Sequence, residues 1–273
     1  MSHDDTNTAF ISPGKKYIAM VEVVIFSVIQ LAQFIMRYNQ EWLYWHHRQR
    51  KRPARCFFYS WWGLLGLLAQ IRIAGSAMVI SNPSPNQPML IAESVLESIG
   101  LSPLLFEVSL VLLRSGQAGR TGPGNSRYPK HIRFLLHFFR FPVILSLDVV
   151  VVGECTGIRD CMYAGAAVFV ATFWFVCGLV MWLAVVYRSI LSAAGLSCVL
   201  IVMGALPFLM VRVAFFLLGE FGPQKFSPMD GSEGIMVGMG LVMEVFVVII
   251  LLLARAVAEP FWPVTQARTD SEA

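Results

Sequence analysis

Charge is what this chain has least of. Asp, Glu, Lys and Arg together make up 14% of its 273 residues, where a soluble domain carries about 25%. So little polar material does not cover the surface of a water-soluble fold of this size. The longest polar stretches are too short to bury a core of their own, which excludes a soluble domain beside the apolar blocks. Histidine and cysteine are also few, at five each. No Gly-rich dinucleotide loop, phosphate loop, CxxC or HExxH occurs, so soluble redox chemistry and zinc hydrolysis have no footing. No metal site or cofactor is expected. His131 and His137 are the nearest candidates for haem ligation, and both fall at the cytosolic end of one span. The basic clusters are short and lie against a membrane face, which argues against nucleic acid as a partner.

What is present is long apolar runs. Hydrophobic residues reach 56%, arranged in blocks near the roughly 20 residues that a helix needs to cross hydrocarbon. Only helices and closed barrels satisfy their backbone there, and the blocks lack the short alternation of barrel strands. The expected fold is therefore all-α, a polytopic transmembrane bundle of about seven helices. The spans read as 17–36, 56–80, 89–113, 134–152, 162–187, 195–218 and 235–258. A short extramembrane N-terminus, 1–16, precedes them, and a cytosolic tail, 259–273, follows. Asp4, Asp5, Lys15 and Lys16 ahead of the first run make it read as a span rather than a cleaved signal. The fourth span is interrupted by Arg140 and Asp148. If it were re-entrant, six spans would remain.

The loops set orientation. Arg37, Arg48, Arg50, Lys51, Arg52 and Arg55 lie between spans 1 and 2, and Arg114, Arg120, Arg127, Lys130 and Arg133 between spans 3 and 4. Arg188 follows span 5. The positive-inside rule places these loops and the C-terminus in the cytosol, and the N-terminus outside or in a lumen. The membrane is that of the endoplasmic reticulum or the cell surface; the sequence does not choose. The first basic loop, with Trp42, Trp45, His46 and His47, reads as an interface anchor or an anionic-lipid contact. Membrane lipids are the expected partners. Cys155 and Cys161 share a luminal loop, so a disulfide is expected there. Pro142 and Pro207 fall inside spans and are expected to kink them. Gly234 and Gly238 have the spacing of a close helix contact.

Ionisable residues inside the spans carry the functional argument, because they are costly in lipid and turn toward a bundle interior. At about 1.5 Å per residue, Glu22, Arg72, Glu93, Glu97, Asp148, Arg212 and Glu244 all fall roughly 6–14 Å below the outer face. Arg140 and Glu107 lie deeper. Glu93 and Glu97 share a helix face, with Arg72 a candidate partner; Arg212 is a candidate for Glu244. Acids exceed bases in this layer, which suits a polar pocket, while paired networks that fix helix order are the structural alternative. Trp61 and Trp174 are candidate pocket walls able to steady a cation, with Tyr59, Trp62, Phe175, Phe215 and Phe216 nearby.

Two segments carry a resemblance. The third span, LIAESVLESIGLSPLLFEVSLVLLR, and the second, LLGLLAQIRIAGSAMVI, resemble a group of fungal seven-span integral membrane proteins of undefined activity. The recognisable pieces are Glu97, Ser98, Gly100, Leu101, Ser102, Pro103 and Leu104, and Arg72 with Gly75. The resemblance implies a fold and a fungal source, and no reaction. In size and layout alone the chain is also similar to small fungal membrane-bound terpenoid cyclases, whose motifs it lacks.

Three functions are then open. One is an intramembrane enzyme of lipid or terpenoid metabolism, doing acid–base or cyclisation chemistry on a prenyl-like, hydrophobic small molecule. Glu97 or Glu244 would donate the proton and Glu93 or Asp148 would steady the cation. The second is a lipid-sensing receptor. The third is a transporter, or a scaffold with structural ion pairs only.

Overall fold

The computed structural model describes residues 13–47, 63–81, 96, 100–116, 126–226 and 232–258. Its elements in chain order are α1 (Pro13–His47), α2 (Leu64–Ser81), α3 (Leu101–Ser115), α4 (Lys130–Phe138), α5 (Arg140–Thr156), α6 (Arg159–Val186) and α7 (Ala193–Phe221). A single turn, Gln224–Phe226, follows α7. The last span begins as the short α8 (Glu233–Ile235), widens into a π-helix over Met236–Val242, and continues as α9 (Met243–Val257). Among the described residues every regular segment but an isolated bridge at Ser126 is helical. The protein is an all-α, multi-pass membrane bundle.

Six segments are long and apolar enough to span: Pro13–Gln40, Leu64–Ser81, Lys130–Gly153, Arg159–Val186, Ala193–Phe221 and Glu233–Val257. Helix α3, shorter at fifteen residues, is the seventh helix of the bundle and packs among them. At one end of α1 the Gly14 backbone lies against the Glu233 carboxylate. At the other end Gln40 Nε2 donates to the Arg255 carbonyl at 3.0 Å. The first and last segments therefore run parallel, as an odd number of crossings requires. The fourth segment, Lys130–Gly153, is long and apolar enough to cross. Its helix is interrupted for one residue at Phe139, between α4 and α5, where Pro142 has no N–H for the carbonyl of Phe138. Pro207, by contrast, lies within an uninterrupted α7.

Helix α1 shows how a membrane bundle inverts the usual pattern. Val21, Val24, Val28, Leu31 and Ile35 are exposed, and face lipid at helical spacing. Phe26, Gln30, Gln33 and Arg37 are buried on the opposite face. Helix α1 continues past its sequence-read end at residue 36 to His47, since no Pro or Gly falls between. Helix α3 is the central element. Eleven of its fifteen residues are buried, and it touches α2, α4, α5, α7 and α9.

Around it the chain forms three hairpin-like pairs, α1 with α2, α5 with α6, and α7 with α9. Close approach of α5 and α6 needs Gly165, where a Cβ would meet Val150 Cγ2 at 2.7 Å and the Ser146 carbonyl at 2.8 Å. Gly157 makes the turn between them with φ of 70°, the left-handed cap that glycine adopts without penalty. Gly234 and Gly238 do not make the close contact their spacing suggests: a Cβ at either would meet nothing within 4 Å. Ser192 caps α7, its hydroxyl accepting from the Gly195 N–H at 3.1 Å.

Candidate functional site

The outer charge layer condenses on Glu244, which is 1% exposed in the first turn of α9. Arg72 of α2 reaches it with two groups. Nε donates to Oε1 at 2.7 Å and Nη2 donates to Oε2. Arg212 of α7, 2% exposed, brings Nε and Nη2 each to 3.2 Å from Oε2. Its guanidinium also lies 5.4 Å from the Phe215 ring centroid, a cation–π contact that offsets part of its desolvation. One carboxylate thus ties three helices through two cations. Planar guanidiniums suit this role, because their fixed fork matches carboxylate oxygens. The sequence pairing of Arg212 with Glu244 is found, and Arg72 joins the same acid.

Beside the triad is a cavity of about 60 Å³ lined by Lys15, Glu22, Arg72, Ser76, Arg212 and Met236 among others. Glu22 is held by Ser76, whose Oγ donates to Oε2 at 2.7 Å. The π-helix supplies Met236, Gly240 and Leu241 to the wall. Such widened turns are rare and recur at functional sites. By the loop charges this cavity lies at the outer end of the bundle.

Several sequence candidates fall elsewhere. Asp148 is exposed on α5 and does not line the cavity. Trp174 is 58% exposed on α6 and packs edge-on against Phe173 at 6.1 Å. It faces outward instead of walling the pocket. Glu93, Glu97 and Trp61 lie outside the described residues. Leu96, between the two acids in sequence, does line the cavity. Cys155 and Cys161 are both free thiols, so the expected bridge is not formed. Each belongs to its own helix end, Cys155 in α5 and Cys161 in α6, on either side of the Gly157 turn. Among the described residues no group of three or more His, Cys, Asp or Glu could hold a metal ion.

A second buried ion pair was not anticipated. Arg255 Nη1 donates to Glu107 Oε1 at 2.7 Å, with Glu107 0% exposed. Two residues further along α3, Ser109 Oγ accepts from Arg140 Nε at 3.0 Å. The sequence signal for this inner region was a run of Gln30, Gln33, Arg37 and Gln40 at helical spacing within an otherwise apolar span. The π-helix had no sequence signal beyond the local glycines.

The buried ion pairs Arg72–Glu244, Arg212–Glu244 and Arg255–Glu107 are largely structural in character, since each ties one helix of the bundle to another. No curated protein and no solved structure matches the chain. Nothing in these comparisons ties it to fungi or to terpenoid cyclases. A family model described as a domain of unknown function (DUF7702) covers residues 14–258, and the chain belongs to that family.

Proposed function

We propose that the protein is a non-catalytic membrane protein of the receptor type, which takes a small zwitterionic solute into its outer cavity. The observation that carries this reading is the engagement of Glu244. Both of its oxygens hold arginines, Oε1 that of Arg72 and Oε2 those of Arg72 and Arg212, so the acid best placed to protonate a substrate is committed to holding helices together. The cavity size points the same way. About 60 Å³ is far below the roughly 300–1,000 Å³ of sites that enclose larger organic ligands. Both signs of charge line the space, through Lys15 and Glu22, which suits a ligand bearing an ammonium and a carboxylate. The adjoining π-helix gives such a ligand an element whose register it can bias.

The test is thermal unfolding of the purified full-length protein with glycine, acetate or methylammonium added in turn. Glycine is expected to raise Tm in the parent and to have no effect in Met236→Trp, which fills the cavity. The reading is overturned if none of the probes shifts Tm, or if the protein converts a prenyl diphosphate to product.

A carrier is the second reading, favoured by one observation: polar side chains recur at the opposite end of α1. Uptake of the same probe into proteoliposomes separates carrier from receptor.

A further inference from the structure

The inner face of α1 changes character along its length. Glu22 lines the outer cavity. Phe26 and Ile29 follow, buried and apolar, and then come Gln30 and Gln33, which are 8% and 1% exposed. Arg37 and Gln40 continue the same face at spacings of four and three. Helix α9 repeats the sequence of environments: Glu244, then the buried Val247, Val248 and Leu251, then Arg255. Two polar layers are therefore separated by a dry apolar layer.

The inner polar layer is short of hydrogen-bond partners. Gln33 is buried with neither amide atom paired, and the side-chain oxygens of Gln30 and Gln40 are unpaired as well. Glu107 Oε2, Arg255 Nε and one Nη of Arg140 are in the same condition. Each such buried atom carries its full desolvation penalty if nothing meets it. The cluster is continuous. Gln33 and Arg37 both crowd the Cβ position of Gly63, Gln40 bonds the Arg255 carbonyl, and Arg255 bonds Glu107.

The chemistry of the orphaned atoms identifies what would satisfy them. Three amide oxygens and a carboxylate oxygen need donors; an amide N–H and two guanidinium N–H groups need acceptors. An anion would leave the oxygens unmet and repel Glu107. A metal cation would be repelled by Arg255 and Arg140. Water donates and accepts at once, and one buried molecule typically satisfies about three such groups. We infer that Gln30, Gln33, Gln40, Glu107 and Arg255 line an internal vestibule filled by water, open to the cytosolic side and closed toward the outside by the apolar layer at Phe26. This vestibule is independent of the outer cavity and of any ligand bound there.

Single-cysteine accessibility tests it in full-length protein in sealed vesicles of known orientation. A charged, membrane-impermeant thiol reagent is applied from one side at a time, and the modified residue is identified by peptide mass mapping. Gln33→Cys is expected to react from the cytosolic side only. It should do so at least about tenfold faster than Phe26→Cys, since a thiol buried in apolar surroundings is nearly inert. Gln30→Cys serves in its place if Gln33→Cys does not retain the parent's unfolding transition. Reaction from the outer side, from both sides equally, or no faster than Phe26→Cys overturns the inference.

Discussion

Arg72 and Glu244, 172 residues apart in sequence, meet in a two-point ion pair that locks α2 to α9. Because Arg212 shares the same carboxylate, the two partners are not equivalent. Removing the acid takes from two cations the carboxylate that both of them hold. Removing Arg72 leaves the Arg212–Glu244 pair in place. Breaking a buried ion pair by deleting one partner costs about 3–5 kcal/mol. Glu244→Gln is therefore expected to destabilise the protein by about that amount, and Arg72→Met by clearly less. Equilibrium unfolding in mixed micelles checks the order. Equal losses in the two variants would show that Arg212 does not carry the acid alone.

The helix pair α5–α6 makes a second prediction, in which one glycine is essential and another is free. A Cβ at Gly165 would meet the α5 backbone itself, the Ser146 carbonyl and the Val150 nitrogen at 2.8 and 2.9 Å. Backbone does not yield as a flexible side chain does. Gly165→Val should cost at least the roughly 1–3 kcal/mol of ordinary overpacking. Gly238→Ala meets open space and should stay within about 1 kcal/mol of the parent, the scale of the alanine–glycine helix difference. Tm measured on both variants, in the same detergent, decides it.

How far the sequence reached is instructive in these two regions. Depth along a span is readable by counting residues, so the outer layer of Glu22, Arg72, Arg212 and Glu244 was identifiable, as was the bundle that holds it. Rotation about the helix axis was not. Asp148 lies at a comparable depth yet is exposed, and Trp174 points outward, because α5 and α6 are apolar on nearly every side. Lipid accepts the same residues as a core does, so little amphipathic pattern remains to fix which face turns inward. Helix α1 is the exception: its glutamines and Arg37 mark one face, and that face is buried. The glycine pair 234/238 misled for a related reason. Spacing records that two small residues share a face, and says nothing about whether a neighbour occupies it. The free thiols at Cys155 and Cys161 teach the same about a shared loop: the helices extend almost to Gly157 and leave little loop to fold back.

The third prediction concerns alkaline pH, and arises where the α3 end, Tyr128 and α7 meet. Tyr128 is 3% exposed, its hydroxyl lies 2.9 Å from Ser115 Oγ, and its ring packs edge-on to Tyr187 at 6.0 Å. Burial pushes its phenol up to about 12, and the Ser115 hydrogen bond opposes this only in part. The raised value means that the folded state holds its proton more tightly than the unfolded chain, whose tyrosine titrates near 10. The stabilisation is thus complete below about pH 10 and is lost as pH rises from there toward 12. At about 1.4 kcal/mol per unit the loss is on the order of 1–3 kcal/mol. Tyr128→Phe cannot ionise, so its stability should fall less steeply over that interval than the parent's. Unfolding followed at a series of pH values from 9 to 12 reads the difference between the two slopes. Parallel slopes would mean that the Tyr128 phenol is open to solvent in the folded protein.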